Sequence, residues 1–527
     1  VGIAGAATQS KVKNLAADPS IMGTDRTPTR LVGMDDDVKV KGPVADWVPR
    51  DLGFAVSVGT AEVIGETWYD YQANGSIGKQ IAIDEVGNIH IMWMKGYDAA
   101  MAGRHMDYNV WSVNKDGGPG WIAEYNNTIK VDNANRAGYG HVALIPVNAM
   151  GLGWQAVGVY HSIPNEGDKA LTTLSPDFMA ALGAFGEGTN YLSVWPGVAE
   201  ELIWPKAAFT KNLKMHATAT ENAPAEQLWH RTSYWFGTPA DNDYLTWNTS
   251  PVPIEIGIGG SITSVASASP TSNKVVVAWH ESRTGKDLAL WDNVRGAWQR
   301  NNDIEYIVMN DGEQYDPEVH PTMSMSKIMP PDPDMWDVEP QSLMDPLNPD
   351  DIDEPYGDVW RPYSDVDIQF DPWDDNLYGA FATATMWERP WVDDGAMIID
   401  GMTSEHNMLW FWNGELDTLT LVANGYYFNR TNNSDDGAFK SRCGGWRMNV
   451  DRPSIAFDPE NPGHIYVAYV QFPEIMKVNE AGNGFDYINI ASDTSTAGFS
   501  NAEVMVSVST DYGITWREPL NVTGTAW

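Results

Sequence analysis

The stretch Lys79-Gln80-Ile81-Ala82-Ile83-Asp84-Glu85-Val86-Gly87-Asn88-Ile89-His90-Ile91-Met92-Trp93-Met94 decides the fold class. Apolar residues alternate at Ile81 and Ile83, then at Ile89, Ile91 and Trp93, which is the period of a strand. Between the two runs lies Asp-Glu-Val-Gly-Asn, a sequence with turn chemistry. The segment reads as a β-hairpin whose second strand ends near an aromatic. Segments 141–161, 206–221, 263–281, 365–383 and 453–470 have the same form. Aligned on their second strands, Trp93, Tyr160, Thr218, Trp279, Phe381 and Tyr469 correspond. They recur about every 60 to 100 residues, the size of a four-stranded blade with variable loops.

A second hairpin follows most of these segments, as at 106–121, 288–299 and 502–516, with less regular versions at 227–236 and 407–416. Two hairpins per unit give four strands. Six units close into a ring without long open sheet edges. The expectation is an all-β chain, a six-bladed β-propeller of four-stranded antiparallel blades over 61–527, with the aligned second strands next to the axis. Residues 1–60 carry no such hairpin and read as an N-terminal arm or cap. Phe54, Val56 and Val58 alternate within it and suit addition to a sheet edge, in this chain or in a neighbouring copy. Residues 329–360 are rich in Pro and Asp and read as an insertion before the fifth blade.

The 527 residues include 24 Trp, 48 Gly and 32 Pro, aromatic strands and turn formers in quantity. The formal net charge is −38, a field that repels nucleic acid and anionic membranes. No apolar run reaches the length of a membrane span. Cys443 is the one cysteine, so no intramolecular disulfide forms. The start at Val1-Gly2-Ile3, without Met, is read as a processed end and predicts an extracellular or cell-surface protein.

Ser509-Thr510-Asp511-Tyr512-Gly513-Ile514-Thr515-Trp516 has the form S-x-D-x-G-x-T-W. Its physics is structural: the Asp carboxylate accepts backbone N–H groups in a turn, Gly513 permits a positive φ, and Trp516 packs between blades. The stretch from Asn114 to Trp121, with Asp116, Gly118 and Trp121, is a degenerate second copy. With this motif the chain resembles the sialidase-like, Asp-box (BNR repeat) propellers. The run Gly65-Glu66-Thr67-Trp68-Tyr69-Asp70-Tyr71 is similar to the opening of propellers exported by the type IX secretion system. The sialidase resemblance implies three carboxylate-binding arginines, a Tyr–Glu nucleophile pair and an acid/base Asp. The early Arg-Ile-Pro is absent, since the first repeat opens Lys79-Gln80-Ile81. No catalytic residue is therefore carried over.

Candidate ligand-binding residues follow from position. Arg361 and Arg452 stand just before the first strands of the fifth and sixth repeats. His161, the group His280, Glu281 and Arg283, and the group Trp387, Glu388 and Arg389 follow second strands. If these loops converge, aromatic and charged groups together suit a sugar or peptide, and Glu281 with Glu388 suits glycoside hydrolysis at the right separation. Zinc is argued against by the lack of HExxH and of spaced Cys/His sets. Asp371, Asp374 and Asp375 are candidate Ca²⁺ ligands because their oxygens are hard donors. The leading expectation is a noncatalytic surface propeller that binds a carbohydrate or protein ligand, or copies of itself. The alternative is a carbohydrate-active enzyme on the same scaffold, a glycoside hydrolase with a non-sialidase acid pair.

Overall fold

The computed structural model describes residues 62–69, 72, 77–101, 103–146, 154–185, 190–195, 201–223, 229–240, 243–259, 263–282, 290–292, 297–299, 302–325, 359–389, 398–424, 450–471, 475–478, 485–488 and 502–523. The N-terminal arm, Arg283, Cys443 and nearly all of the Pro/Asp-rich insertion lie outside them. Every element among the described residues is a strand.

Six antiparallel sheets follow one another along the chain. The first holds β1 (Ile81–Ile83), β2 (Ile89–Gly96), β3 (Arg104–Ser112) and β4 (Gly120–Trp121), with β5 (Ile129–Lys130) also on β3. The second holds β6 (Arg136–Ile145), β7 (Gln155–Ile163), β8 (Leu171–Pro176) and β9 (Asn190–Tyr191). In the third, β10 (Glu201–Phe209), β11 (Met215–Asn222), β12 (His230–Ala240) and β13 (Asp243–Thr249) pair in order, and β14 (Ile254–Gly259) joins β12. The fourth has β15 (Ser264–Ala268) and β16 (Val275–Ser282). Its chain then leaves for a small hairpin, β17 (Leu290–Asp292) and β18 (Ala297–Gln299), and returns as β19 (Asn302–Met309) and β20 (Met323–Ser324). The fifth runs β21 (Val359–Phe370), β22 (Leu377–Arg389), β23 (Ile398–Asn413) and β24 (Thr418–Asn424). The sixth holds β25 (Val450–Phe457) and β26 (Ile465–Gln471). A separate hairpin follows, β27 (Ile475–Val478) with β28 (Phe485–Ile488), before β29 (Glu503–Ser509) and β30 (Leu520–Asn521) complete the blade. The architecture is the six-bladed β-propeller that the repeat predicts.

Two expectations need correction. Blades touch through their first strands: β6 meets β10, β10 meets β15, β15 meets β21 and β21 meets β25. The first strands therefore line the axis, and Trp93, Tyr160, Thr218, Trp279, Phe381 and Tyr469 lie one strand outward. The stretch 288–299 is not the second hairpin of blade four. It forms the inserted β17–β18 pair, and β17 bridges in parallel to β23 of blade five at Asp292 and Met402.

Each pair of successive blades encloses one apolar layer. Met92, Met106, Tyr108 and Tyr139 fill the first, Phe209, Trp235 and Trp247 the second, and Trp279 with Tyr234 the third. Ile368, Phe381 and Trp412 fill the fourth, and Tyr378, Phe411 and Tyr469 the fifth. Burying a large aromatic side chain contributes about 2–3 kcal/mol, so Trp-rich strands suit thin interblade layers.

The turn of the first hairpin is capped by a side-chain oxygen in five blades. Asp84 Oδ1 accepts the N–H groups of Val86 and Asn88 at 3.0 and 2.8 Å. Thr210 Oγ1 accepts Lys214 N–H at 3.1 Å, and Ser269 Oγ accepts Thr271 and Ser272 N–H at 3.0 and 2.9 Å. Asp371 Oδ1 accepts three N–H groups, from Trp373, Asp374 and Asp375. Asp458 Oδ1 accepts those of Glu460 and Asn461. This capping is the physical content of the repeat's polar turn.

The S-x-D-x-G-x-T-W turn joins β29 to β30. Asp511 accepts Thr515 N–H at 2.9 Å and Thr515 Oγ1–H at 2.6 Å, and Ser509 Oγ accepts Gly513 N–H at 2.9 Å. Gly513 has φ 81°. Trp516 Nε1 donates to Thr420 of blade five and its ring meets Phe411 edge-on at 5.0 Å. The degenerate copy differs. Asp116 is exposed with no hydrogen bond to its carboxylate among the described residues, and Trp121 packs on Trp111 of its own blade.

Candidate functional site

The first strands of four blades are irregular at equivalent places. Register shifts between Gly138 and His141 in β6, Ile203 and Lys206 in β10, Pro362 and Val366 in β21, and Asp451 and Ser454 in β25. Within three of these bulges a non-glycine residue has positive φ: Tyr139 at 53°, Trp204 at 55° and Arg452 at 60°. Such residues cost on the order of 1–3 kcal/mol each and persist where surrounding structure holds them. A bulge re-aims the side chains that follow it.

What they assemble is a charged cluster near the axis. Lys79 Nζ, entering β1, lies 2.8 Å from Asp367 Oδ2 in blade five. The same oxygen accepts Ile455 N–H at 2.7 Å and Gln369 Nε2–H at 2.8 Å. Arg452 Nη1 of blade six donates to Asp365 Oδ1 at 2.7 Å. Lys206 is buried, and burial lowers its amine to about 7, opposed by the attraction of Asp365 and aided by the repulsion of Arg452. His141 is buried beside Lys206, and burial followed by that charge pushes it down to about 3. Its Nε2 lies 3.3 Å from Ala207 N and 3.5 Å from Ala207 O. Gly78 lets the chain pass against both: a Cβ there would lie 2.8 Å from His141 and 2.9 Å from Lys206.

A second group adjoins it. The Arg104 guanidinium, at the start of β3, sits over the Tyr139 ring at 4.9 Å. Tyr139 stacks on His161 at 5.2 Å, and His161 meets Trp204 edge-on at 6.4 Å. Burial, then the charges of Arg104, Arg136 and Lys206, hold His161 well below its ordinary value.

The candidates read from the sequence fall as follows. Arg452 belongs to the axial cluster and His161 to the adjoining group. His280 and Glu281 do not converge with them or with each other. Alternation on β16 puts His280 with the Ala278 side, toward blade five, and Glu281 with the Trp279 side, toward blade three. Glu281 accepts Trp279 Nε1–H at 2.7 Å and Ile258 N–H at 2.8 Å. The carboxylate brought near Glu281 is Glu305, which burial and then Glu281 and Asp303 push up to about 7. Arg361, Trp387, Glu388 and Arg389 contribute backbone to β21 and β22, and their side chains lie outside the described residues. Asp371 and Asp375 are engaged within the fold. Asp371 caps its turn, Asp375 takes Ser272 Oγ–H at 2.7 Å and Lys274 Nζ at 3.1 Å, and Asp374 is exposed. Among the described residues no group of three His, Cys, Asp or Glu side chains is placed to hold a metal ion.

Lys79, Arg104, His141, Lys206, Asp365 and Asp367 were not among the candidates. A signal existed for most of them. Lys79, His141, Lys206 and Asp365 are the opening residues of four of the six repeats.

No protein-family model matches the chain, and no curated protein matches it. Solved structures resemble its course. One is an α-L-arabinanase of Penicillium chrysogenum, with a TM-score of 0.34 and 12% identity over 65% of this chain and 90% of that one. Another is the polysaccharide lyase Uly1, with a TM-score of 0.37 and 9% identity over 84% and 77%. A third is the GH93 α-L-arabinofuranosidase of Fusarium graminearum, with a TM-score of 0.34 and 9% identity over 74% and 88%. Likeness of this size concerns the course of the chain alone, because one fold hosts many functions.

Proposed function

We propose that the chain is a carbohydrate-active protein that takes a glycan at the axial end of the propeller and uses Lys206 for proton transfer. The observation that supports this reading most is the Lys206 amine. A group with a value near 7 exists as acid and base in comparable amounts at neutral pH, which suits general acid–base work. Asp365 and Arg452 beside it supply fixed charge of both signs. An extracellular or surface setting, where polymeric glycans are met, belongs with this reading.

A noncatalytic binding role is the second reading, and Asp367 favours it. Its Oδ2 takes three donors at once, so this carboxylate serves structure more than proton transfer. One experiment separates the two. Wild type and Lys206→Met are screened against neutral and acidic oligosaccharides for new reducing ends, for unsaturated products and for binding. Turnover lost in Lys206→Met, with an unchanged β-sheet spectrum, supports the enzyme. Binding without turnover supports the second reading. Neither binding nor turnover of any glycan overturns both.

A further inference from the structure

Three buried N–H donors without acceptors belong to the group that runs from Arg104 over Tyr139 and His161 to Trp204. Arg104 is 3% exposed, and its Nε and Nη1 have no hydrogen-bond partner. Trp204 is fully buried and its indole Nε1 has none either. Among the described residues no carboxylate pairs with Arg104, whose guanidinium lies over the Tyr139 face. Burying a guanidinium without an anion costs several kcal/mol, so an unpaired one calls for an anionic partner.

The surroundings point the same way. Trp204 N–H donates to His161 Nδ1 at 3.3 Å, so the ring hydrogen is on Nε2 and forms a further donor. The fields of Arg104, Arg136 and Lys206 all act to keep His161 neutral, which marks this corner as positive inside a chain of net charge −38. Gly138 makes the approach possible. A Cβ there would lie 3.0 Å from Arg104 Nε and 2.4 Å from Met94 Sδ. Trp204 lies within the β10 bulge and Lys206 closes it, so the indole donor and the axial amine are held by one irregularity.

We infer that Arg104, His161 and Trp204 form a receptor for a carboxylate, and that the glycan taken at the axis is built from hexuronate-type sugars. The inference rests on the carbohydrate reading above and specifies its substrate class. A planar guanidinium matches a carboxylate and discriminates against its ester, which lacks the charge and one acceptor lobe.

The test is calorimetric titration with oligogalacturonate, its methyl ester, a neutral oligosaccharide and a sulfated one. Wild type is expected to bind the acid about 10- to 100-fold more tightly than the ester. Arg104→Met is expected to erase that preference, and Trp204→Phe, which keeps the ring and removes Nε1, to reduce it several-fold. Thermal unfolding checks that both variants are folded, and Trp204→Phe keeps the test decisive if Arg104→Met is not. Equal affinity for acid and ester overturns the receptor, as does a preference untouched in both variants, or tight binding of the sulfated sugar alone. If neutral glycans are turned over with no acid preference, the receptor fails and the carbohydrate reading stands. If monomeric galacturonate binds through Arg104 while no glycan is bound or cleaved, the receptor stands and the carbohydrate reading fails.

Discussion

Lys79 Nζ of the first blade and Asp367 Oδ2 of the fifth meet at 2.8 Å, a pair that ties the chain's first hairpin to a strand of a distant blade. The two sides are unequal. The Lys79 side chain is 40% exposed, whereas that of Asp367 is 4% exposed and also serves Gln369 and Ile455.

Lys79→Met is therefore expected to cost about 1 kcal/mol or less, the range of exposed pairs. Asp367→Ala strands three donors and is expected to cost about 3 kcal/mol. Urea unfolding midpoints compare them. Equal losses would contradict this division of labour.

At the last turn, Asp511→Ala removes acceptors from Thr515 on a largely solvated loop, and a loss of about 1 kcal/mol is expected. Gly513→Ala is expected to cost more, about 2 kcal/mol or above. Its Cβ would fall 2.1 Å from Phe411 Cε1 at a φ of 81°. Neither change should alter glycan binding at the opposite end of the strands. Thermal unfolding and a binding isotherm on the same samples check both statements.

The pH dependence of stability has opposite signs at Glu305 and Lys206. Glu305 has its folded value raised from 4.5 to about 7, so its contribution is present below about 4.5 and is lost as pH rises to about 7. Glu305→Gln should be more stable than wild type at pH 8 and indistinguishable below pH 4.5. Lys206 has its value lowered from 10.5 to about 7, so its charged form burdens the fold at and below about 7 and the burden lifts as pH rises to about 10.5. Lys206→Met should therefore show its largest stability gain near pH 6 and lose that gain by pH 10. Denaturant midpoints across pH measure both, and parallel curves for variant and wild type would contradict the assignments.

The repeat was legible because strand alternation and capped turns are local. Asp84, Asp371 and Asp458 each announce a turn within a few residues of the strands they join. The phase of the repeat also held the axial residues, since Lys79, His141, Lys206 and Asp365 open their segments. It did not mark them as a site, because Lys79 with Asp367 and Arg452 with Asp365 are contacts between blades and leave no trace in local spacing. The bulges were invisible for another reason. Tyr139, Trp204 and Arg452 adopt positive φ without being Gly or Asn, the residues that usually signal it. The stretch 288–299 misled because an inserted hairpin has the same alternation as a blade hairpin. Arg104 was overlooked because a lone arginine at a strand start has the same signature whether it faces solvent or is buried.

The central claim is that Lys206 carries proton transfer at the axis, and the pH profile of glycan turnover tests it most directly. For wild type, kcat/KM is expected to change through an inflection near pH 7, the value that burial gives the Lys206 amine. In Lys206→Met the rate should fall by about 100-fold or more and the inflection should vanish. The same profile and rate in both proteins would contradict the account.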